Sequence, residues 1–308
     1  MRLTGVSPES GGTGLTVQTA LANPSTRPGL RLPGRVNLIA GAVDVPVLHV
    51  RLGLVSSVEP DDPEAPRRLV QFHQAQVADA LVLRANRARS IPFEFPLPWE
   101  TPVTTYGGVP LLSLRMGLRT EVAIDPALDQ GAMVPVFVHP LPTQQHVLAA
   151  LDTLGFSVRQ AGLVDGRLPG VEQTLPLHQR WGFWVGPLYA GPITELEVIF
   201  VANSAGLEVI LWCDRRLALA GITHTSISRF RIWHVNADQR DWVSVVDGWL
   251  RETINRHAAA AAQADWSATI TESAHVSRPP DRPIVPGFGL GGTAGGAGVG
   301  GGGGGDGT

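Results

Sequence analysis

Residues 91–124 read IPFEFPLPWETPVTTYGGVPLLSLRMGLRTEVAI, and the pattern within them decides the fold class. Ile91, Phe93 and Phe95 alternate with Pro92, Glu94 and Pro96, a period of two that belongs to a half-buried strand. Proline has no N–H to donate to a ladder, so these residues predict an edge strand or a bulge. Gly107-Gly108 supplies a turn. Beyond it, Leu114, Met116, Leu118, Thr120 and Val122 share one strand face, with Arg115, Arg119 and Glu121 near the other. No catalytic pattern lies in this stretch. It reads as the middle of a β-sandwich.

The rest of the chain carries the same punctuation. Strands are predicted over 15–21, 35–40, 45–56, 69–77, 90–95 and 111–124 for a first domain. Two turns interrupt them, NPSTRPG after Leu21 and the acidic, Pro-rich VEPDDPEAPRR after Ser57. Asp125–Met133 reads as a linker. A second domain then opens with a strand at 134–138 and a helix at 144–154. Thr143 is its expected N-cap, Gly155 stands just past its end, and Val147, Leu148, Leu151 and Leu154 lie on one face. Further strands are expected at 156–163, 174–184, 193–202, 207–213 and 226–234. From Asp238, Trp242, Val245, Val246, Trp249 and Ile254 recur at helical spacing, and the Ala run at 257–262 extends that helix. The expected limits are a flexible start at 1–14, sandwiches at 15–125 and 126–235, a helix at 236–264 and a flexible Pro/Gly-rich tail at 265–308. Many short strands with Pro and Gly between them indicate sandwiches rather than βαβ units.

Three segments and the closing helix carry a family resemblance. FEFPLPWETPVT, GLRTEVAI, VHPLPTQQHVLAALDTLGF and DWVSVVDGWLR, in that order, resemble the SpoOM family of sporulation-control proteins, which are bacterial relatives of arrestins. The similarity spans roughly residues 15–254. It implies two tandem antiparallel β-sandwiches of arrestin-like type. It also implies a non-enzymatic cytoplasmic regulator or scaffold concerned with sporulation or cell development, acting through protein–protein contact. It offers no catalytic residues. Met1–Gly14 is Gly- and Ser-rich and not amphipathic, unlike the start of many members.

Composition narrows the chemistry. The 308 residues suit two domains, and 44% hydrophobic content is enough for real cores. A net charge of −3 gives no global field for nucleic acid or anionic membrane. All 24 basic residues are Arg, which excludes Schiff-base and P-loop lysine chemistry. The single Cys213 sits in the apolar run LEVILWCD and reads as a buried small hydrophobe in a reducing compartment. The first residues lack the apolar core of a signal peptide, and no apolar run approaches the ~20 residues of a membrane span. Nine histidines are present, without HExxH or CxxC spacing. No GxSxG elbow is found, and the GxGxxG-like run at 287–292 lacks the flanking strand and helix of a dinucleotide site. No cofactor, metal or catalytic residue is therefore expected. Asp241 and Asp247 are read as solvated.

The aromatic residues remain. Trp181, Phe183, Trp184 and Tyr189 cluster in RWGFWVGPLYAG. Trp181 and Phe183 share a strand face and Trp184 takes the other, so either both faces are covered or one is a contact surface. The Trp242/Trp249 helix is the expected cover. Trp99 and Tyr106 are the candidate anchors of an edge-strand contact near 90–101 or of a groove near 125–133. Partner-binding candidates are thus Trp99, Tyr106, Trp181, Trp184 and Tyr189, with packing as the competing role of each. A carbohydrate- or ligand-binding sandwich and a hydrolase with a site between domains stay open as other classes. The partner is expected to be a protein, not a nucleic acid, and the sequence leaves self-association open.

Overall fold

The computed structural model describes residues 14–59, 67–124, 128–130, 133–217, 222–235 and 237–267. The acidic loop after Ser57 falls largely outside these residues, as do the Gly-rich start, the tail beyond 267 and its GxGxxG-like run.

The first sandwich begins with β1 (Thr16–Leu21), β2 (Ser25–Thr26), β3 (Arg31–Ile39), β4 (Val45–Val58), β5 (Arg68–Ala78), β6 (Leu81–Leu83) and β7 (Ala88–Pro96). A short hairpin follows, β8 (Thr105–Tyr106) and β9 (Val109–Pro110). Then come β10 (Met116–Ile124), β11 (Leu128–Gln130) and β12 (Val134–Pro135). One sheet has the order β1-β3-β7. The other is β11-β10-β4-β5, with β6 on β4 and β12 on β10. Their inner faces meet through Leu32, Val36 and Leu38 from β3, Phe93 and Phe95 from β7, and Leu52, Leu54, Leu118 and Val122 from the opposing sheet.

The Pro-rich strand is an edge, as its sequence predicts: among the described residues β7 pairs with β3 alone. An antiparallel ladder alternates residues whose N–H faces the partner with residues whose N–H faces away. Pro92 and Pro96 have no N–H, so the nine-residue register holds only with their nitrogens turned outward. Gly107 and Gly108 take φ of 59° and 81°, the double left-handed turn that joins β8 to β9.

The second sandwich is built around a five-stranded meander. After β13 (Phe137–Val138) and helix α1 (Pro142–Thr153) come β14 (Ser157–Asp165), β15 (Leu177–Trp184), β16 (Glu195–Ala202), β17 (Gly206–Leu217) and β18 (Ile222–Trp233), paired in sequence order and all antiparallel. Its facing layer is assembled from the β8–β9 hairpin, the parallel pair β2–β13, helix α1 and helix α2 (Trp242–Ser267). Inner side chains such as Leu163, Trp181, Leu196, Val198, Val209 and Leu211 join one continuous core with the first sandwich. Cys213 is fully buried there. Helix α2 lays Trp242, Val246, Leu250 and Ile254 inward, and Trp249 stacks on Phe230 at 4.8 Å between ring centres.

The structure departs from the sequence reading at identifiable places. Leu141, not Thr143, caps α1. Pro142 occupies the first turn, and the Gln144 side-chain oxygen accepts the Leu141 N–H at 2.8 Å, so Thr143 is drawn inside. Gly155 does take the expected left-handed φ, at 88°. Residues 111–115 are not strand, because the chain turns at Leu112-Ser113 before β10 starts at Met116. The expected linker contributes a strand: Leu128–Gln130 folds back on Ala123–Glu121 of β10. Within the NPSTRPG turn, Ser25-Thr26 pairs in parallel with Phe137-Val138. Asp247 is not simply solvated. It accepts the Tyr189 hydroxyl at 2.5 Å and the Arg251 Nε–H at 2.8 and 3.0 Å.

Candidate functional site

Beside the apolar core that they share, the two sandwiches are fastened by polar contacts along a seam, and Trp99 lies on it. The segment leaving β7 supplies one side. Val103 donates its N–H to Gln179 Oε1 at 2.9 Å, and Gln179 Nε2 donates to the Val103 carbonyl at 2.8 Å. A buried side-chain amide thus completes a backbone pair across the seam. The Glu100 carboxylate accepts the N–H groups of Thr174 and Leu175 at 2.7 and 2.9 Å, and the Thr174 hydroxyl at 3.0 Å.

At the other end, β4 runs into β14. The Glu59 N–H donates to the Leu163 carbonyl at 2.9 Å. Its carboxylate lies over Gly162, where any Cβ would stand 2.0 Å from Oε1. That carboxylate is 3.7 Å from Arg67 and 3.9 Å from Arg180, and Arg180 reaches Glu197 at 3.6 Å. Burial pushes the Glu197 carboxyl upward, against the pull of Arg180 and Arg159. Ser113 donates to the Ala161 carbonyl, and Arg68 pairs with Asp165.

Trp99 occupies the centre of a junction. Its ring rests on Gly29, whose φ of 76° and missing side chain permit the approach. The other side stacks on His234 at 5.7 Å and 24°. His234 is also held by Thr143 Oγ1 at 3.1 Å and by the Asn203 carbonyl at 3.0 Å. The first sandwich, α1, the β16–β17 turn and the end of β18 therefore converge on one imidazole. Its two sequence neighbours are exposed apolar residues, Trp233 at 54% and Val235 at 72%. Neither was marked as a candidate in the sequence. The alternation RFRIWHV does place Trp233 off the Ile232 face, and that is the signal that finds it. A few residues on, His146 stacks on Trp242 at 4° and pairs with Asp238 at 2.9 Å.

The other candidates lie elsewhere. Trp181 is 1% exposed and meets the edge of Tyr106, itself half-buried, at 6.0 Å. Tyr189 is buried against Phe156, and its hydroxyl is pushed up to about 12, chiefly by burial and then by the bond to Asp247. Trp184 stands on the opposite strand face at 62% exposure, with the Arg159 guanidinium 5.7 Å from its ring centre. The cover over Trp181 comes from the β8–β9 hairpin. Helix α2 packs instead on β17, β18 and α1, because Trp249 finds Phe230 at that end of the sheet.

The hydroxyl–imidazole pairs Thr105–His139, at 2.8 Å, and Thr143–His234 hold loops, and both hydroxyls are buried where a substrate does not reach them. No group of three potential metal ligands occurs among the described residues. No helix among them is long and apolar enough to cross a membrane. Fold and seam together define a tandem β-sandwich protein of arrestin-like type with a helix-buttressed second half.

The chain belongs to the SpoOM protein family, whose profile matches residues 8–217. The sporulation-control protein Spo0M of Bacillus subtilis is 28% identical over 202 residues, which cover 65% of this chain and 75% of that protein. The crystal structure of Spo0M from Bacillus subtilis superposes with a TM-score of 0.66 at 22% identity, over 79% of this chain and 99% of the other.

Proposed function

We propose that this chain is a regulatory protein of sporulation or cell development, working inside the cell by docking a protein partner at the Trp99–His234 junction. One observation carries the reading: two large apolar side chains, Trp233 and Val235, stand exposed on either side of a histidine held by three other segments. A rigid base beneath exposed apolar anchors lowers the ordering cost of association. Family membership supports the regulatory role, and the relative's description as a sporulation-control protein supplies the process. The test is affinity capture from a sporulating culture with matched baits. Trp233→Ala with Val235→Ser should lose the captured partner at least tenfold while melting as the parent does. Unchanged capture by that bait, with loss for Trp184→Ala, would move the contact to the other face.

A second reading attaches to Trp184. An exposed indole with the Arg159 guanidinium beside its ring is a platform on which a sugar ring can stack. Titration of tryptophan fluorescence with glycans, parent against Trp184→Ala, separates this from protein docking.

A further inference from the structure

The open edges of the first sandwich are not equivalent. An edge strand presents unpaired N–H and C=O groups, and folded proteins block such edges with prolines, bulges or charges. At β7 the outward positions 92 and 96 are proline, so two donors are missing. At β5 the register against β4 slips twice, between Val50 and Arg51 and between Leu54 and Val55, and each bulge breaks the spacing an added strand needs. β1 has neither device. Its six residues, TVQTAL, pair with β3 without a slip and contain no proline and no charge. The Ala22 N–H donates to the Pro33 carbonyl at 2.9 Å, which fixes the phase. Positions 16, 18 and 20 face β3, so the backbone groups of Val17, Thr19 and Leu21 face off the sheet. Among the described residues β1 pairs with β3 alone.

The outer face beside this edge carries a groove of about 750 Å³, lined by Ala20, Ala22, Pro33, Arg35, Pro92 and Glu94 among others. Arg35 lies at its centre, directly across the ladder from Ala20 on one side and Pro92 on the other. Glu94 has Arg31 at 3.9 Å. The Arg35 guanidinium makes no ion pair and no hydrogen bond with any described residue. Among the described residues it has no ion-pair partner, since the Glu94 carboxylate in the same mainly apolar groove lies by Arg31 instead.

We propose that β1 is a docking edge for an extended segment of a partner protein that carries an acidic residue opposite Ala20. Pairing with Val17, Thr19 and Leu21 supplies sequence-independent backbone bonds, and alternate side chains of the added strand supply the choice of partner. The residue opposite Ala20 lies on the groove face. It stands two strand spacings, about 10 Å, from the Arg35 backbone. Ala20 between them is only a methyl group, so a carboxylate and the Arg35 fork meet above it, where bidentate geometry favours carboxylate over any neutral group. A basic residue there faces Arg35 directly and is rejected.

This inference rests on the reading of the chain as a protein-docking regulator, and its test separates the two. The full chain is titrated with the peptide acetyl-Ser-Val-Thr-Val-Glu-Val-Thr-Ser-amide, and with the same peptide carrying Lys for Glu. Binding is read by calorimetry and by amide hydrogen exchange. The Glu peptide should bind at least tenfold more tightly than the Lys peptide and slow exchange at Val17, Thr19 and Leu21. Arg35→Glu, an exposed change that leaves the fold intact, should reverse the preference. Trp233→Ala with Val235→Ser should leave both affinities unchanged, so loss of the junction reading would not affect this result. No binding at millimolar peptide, equal affinity for the two peptides, or protection appearing at β7 or β14 instead of β1 would each overturn the proposal.

Discussion

His178 makes stability depend on pH in a direction that can be worked out from its surroundings. It sits near the start of β15, and its Nδ1–H donates to the Gly166 carbonyl at 3.1 Å. Burial pushes the imidazole from 6.5 down to about 4; the Gly166 bond works against that shift and Arg180 adds to it. The folded state therefore binds a proton less readily than the unfolded chain. Its contribution is fully present above the unfolded value of 6.5 and is lost as pH falls from there towards about 4. At 1.36 kcal/mol per unit, this displacement amounts to ~3 kcal/mol. Glu197 opposes it: a buried carboxyl with a raised pKa stabilises the fold at low pH and loses that contribution as pH rises. The measurement is therefore a difference. Urea unfolding is followed at about pH 7 and about pH 4.5 for the parent and for His178→Asn, whose amide keeps a donor for Gly166 but does not titrate. The parent should lose ~2–3 kcal/mol more than the variant over that interval. Parallel losses, within ~0.5 kcal/mol, would show that the ring gains its proton without cost and that the strand end opens readily.

Helix α2 should divide its two tryptophans: Trp242→Ala should cost ~3–5 kcal/mol, because the ring is buried and its Nε1–H donates to Ala237 at 2.7 Å, while half-buried Trp249→Ala should cost about half as much. Equal losses in chemical denaturation would contradict the observed tilt of the apolar stripe. Gly34→Ala places a Cβ 2.7 Å from the Ala20 carbonyl and 2.5 Å from Phe93 Cζ, and should destabilise by ~2–3 kcal/mol; an unchanged melting temperature would refute that packing. Glu59→Gln keeps the backbone bond to Leu163 and removes one charge from the Arg67–Arg180 pairing, so it should cost ~1 kcal/mol in dilute salt and progressively less as salt is added. A loss that does not respond to salt would mean that shape, not charge, holds the seat over Gly162.

The readable part of the fold was the part written in periodicity. Ile91, Phe93 and Phe95 declared an inward face, and Pro92 and Pro96 declared an edge, because both properties belong to single residues and their spacing. The opposed faces of Trp181 and Trp184 followed from strand alternation alone. What escaped depends on partners distant in sequence. Leu128–Gln130 has no strand signal of its own and becomes strand only because β10 offers it a free edge. Thr143 is a good cap by type, yet Pro142 and the Gln144 side chain settle the helix start two residues earlier. The junction on His234 joins four segments up to 135 positions apart, Trp99 to His234, and no local pattern announces such a meeting. That β1 pairs with β3 alone among the described residues was equally invisible, since a strand's neighbours are not written in its own sequence.

The seam gives these surfaces a common frame. Gln179 joins Val103 by two hydrogen bonds, Glu100 takes three from Thr174 and Leu175, and Glu59 extends β4 onto β14, so the sandwiches are fastened at both ends of their contact. Most of these bonds involve backbone groups, which are costly to leave unpaired when buried. Sliding one sandwich over the other would break several at once, whereas the exposed Trp233 and Val235 beside the junction can be covered without breaking any. Under the proposed docking, affinity comes from apolar anchors and strand pairing on a prepared surface, rather than from prying the sandwiches apart. On that argument the junction and the β1 edge keep a fixed spacing. A partner engaging both with one chain gains by effective concentration and needs only modest affinity at each.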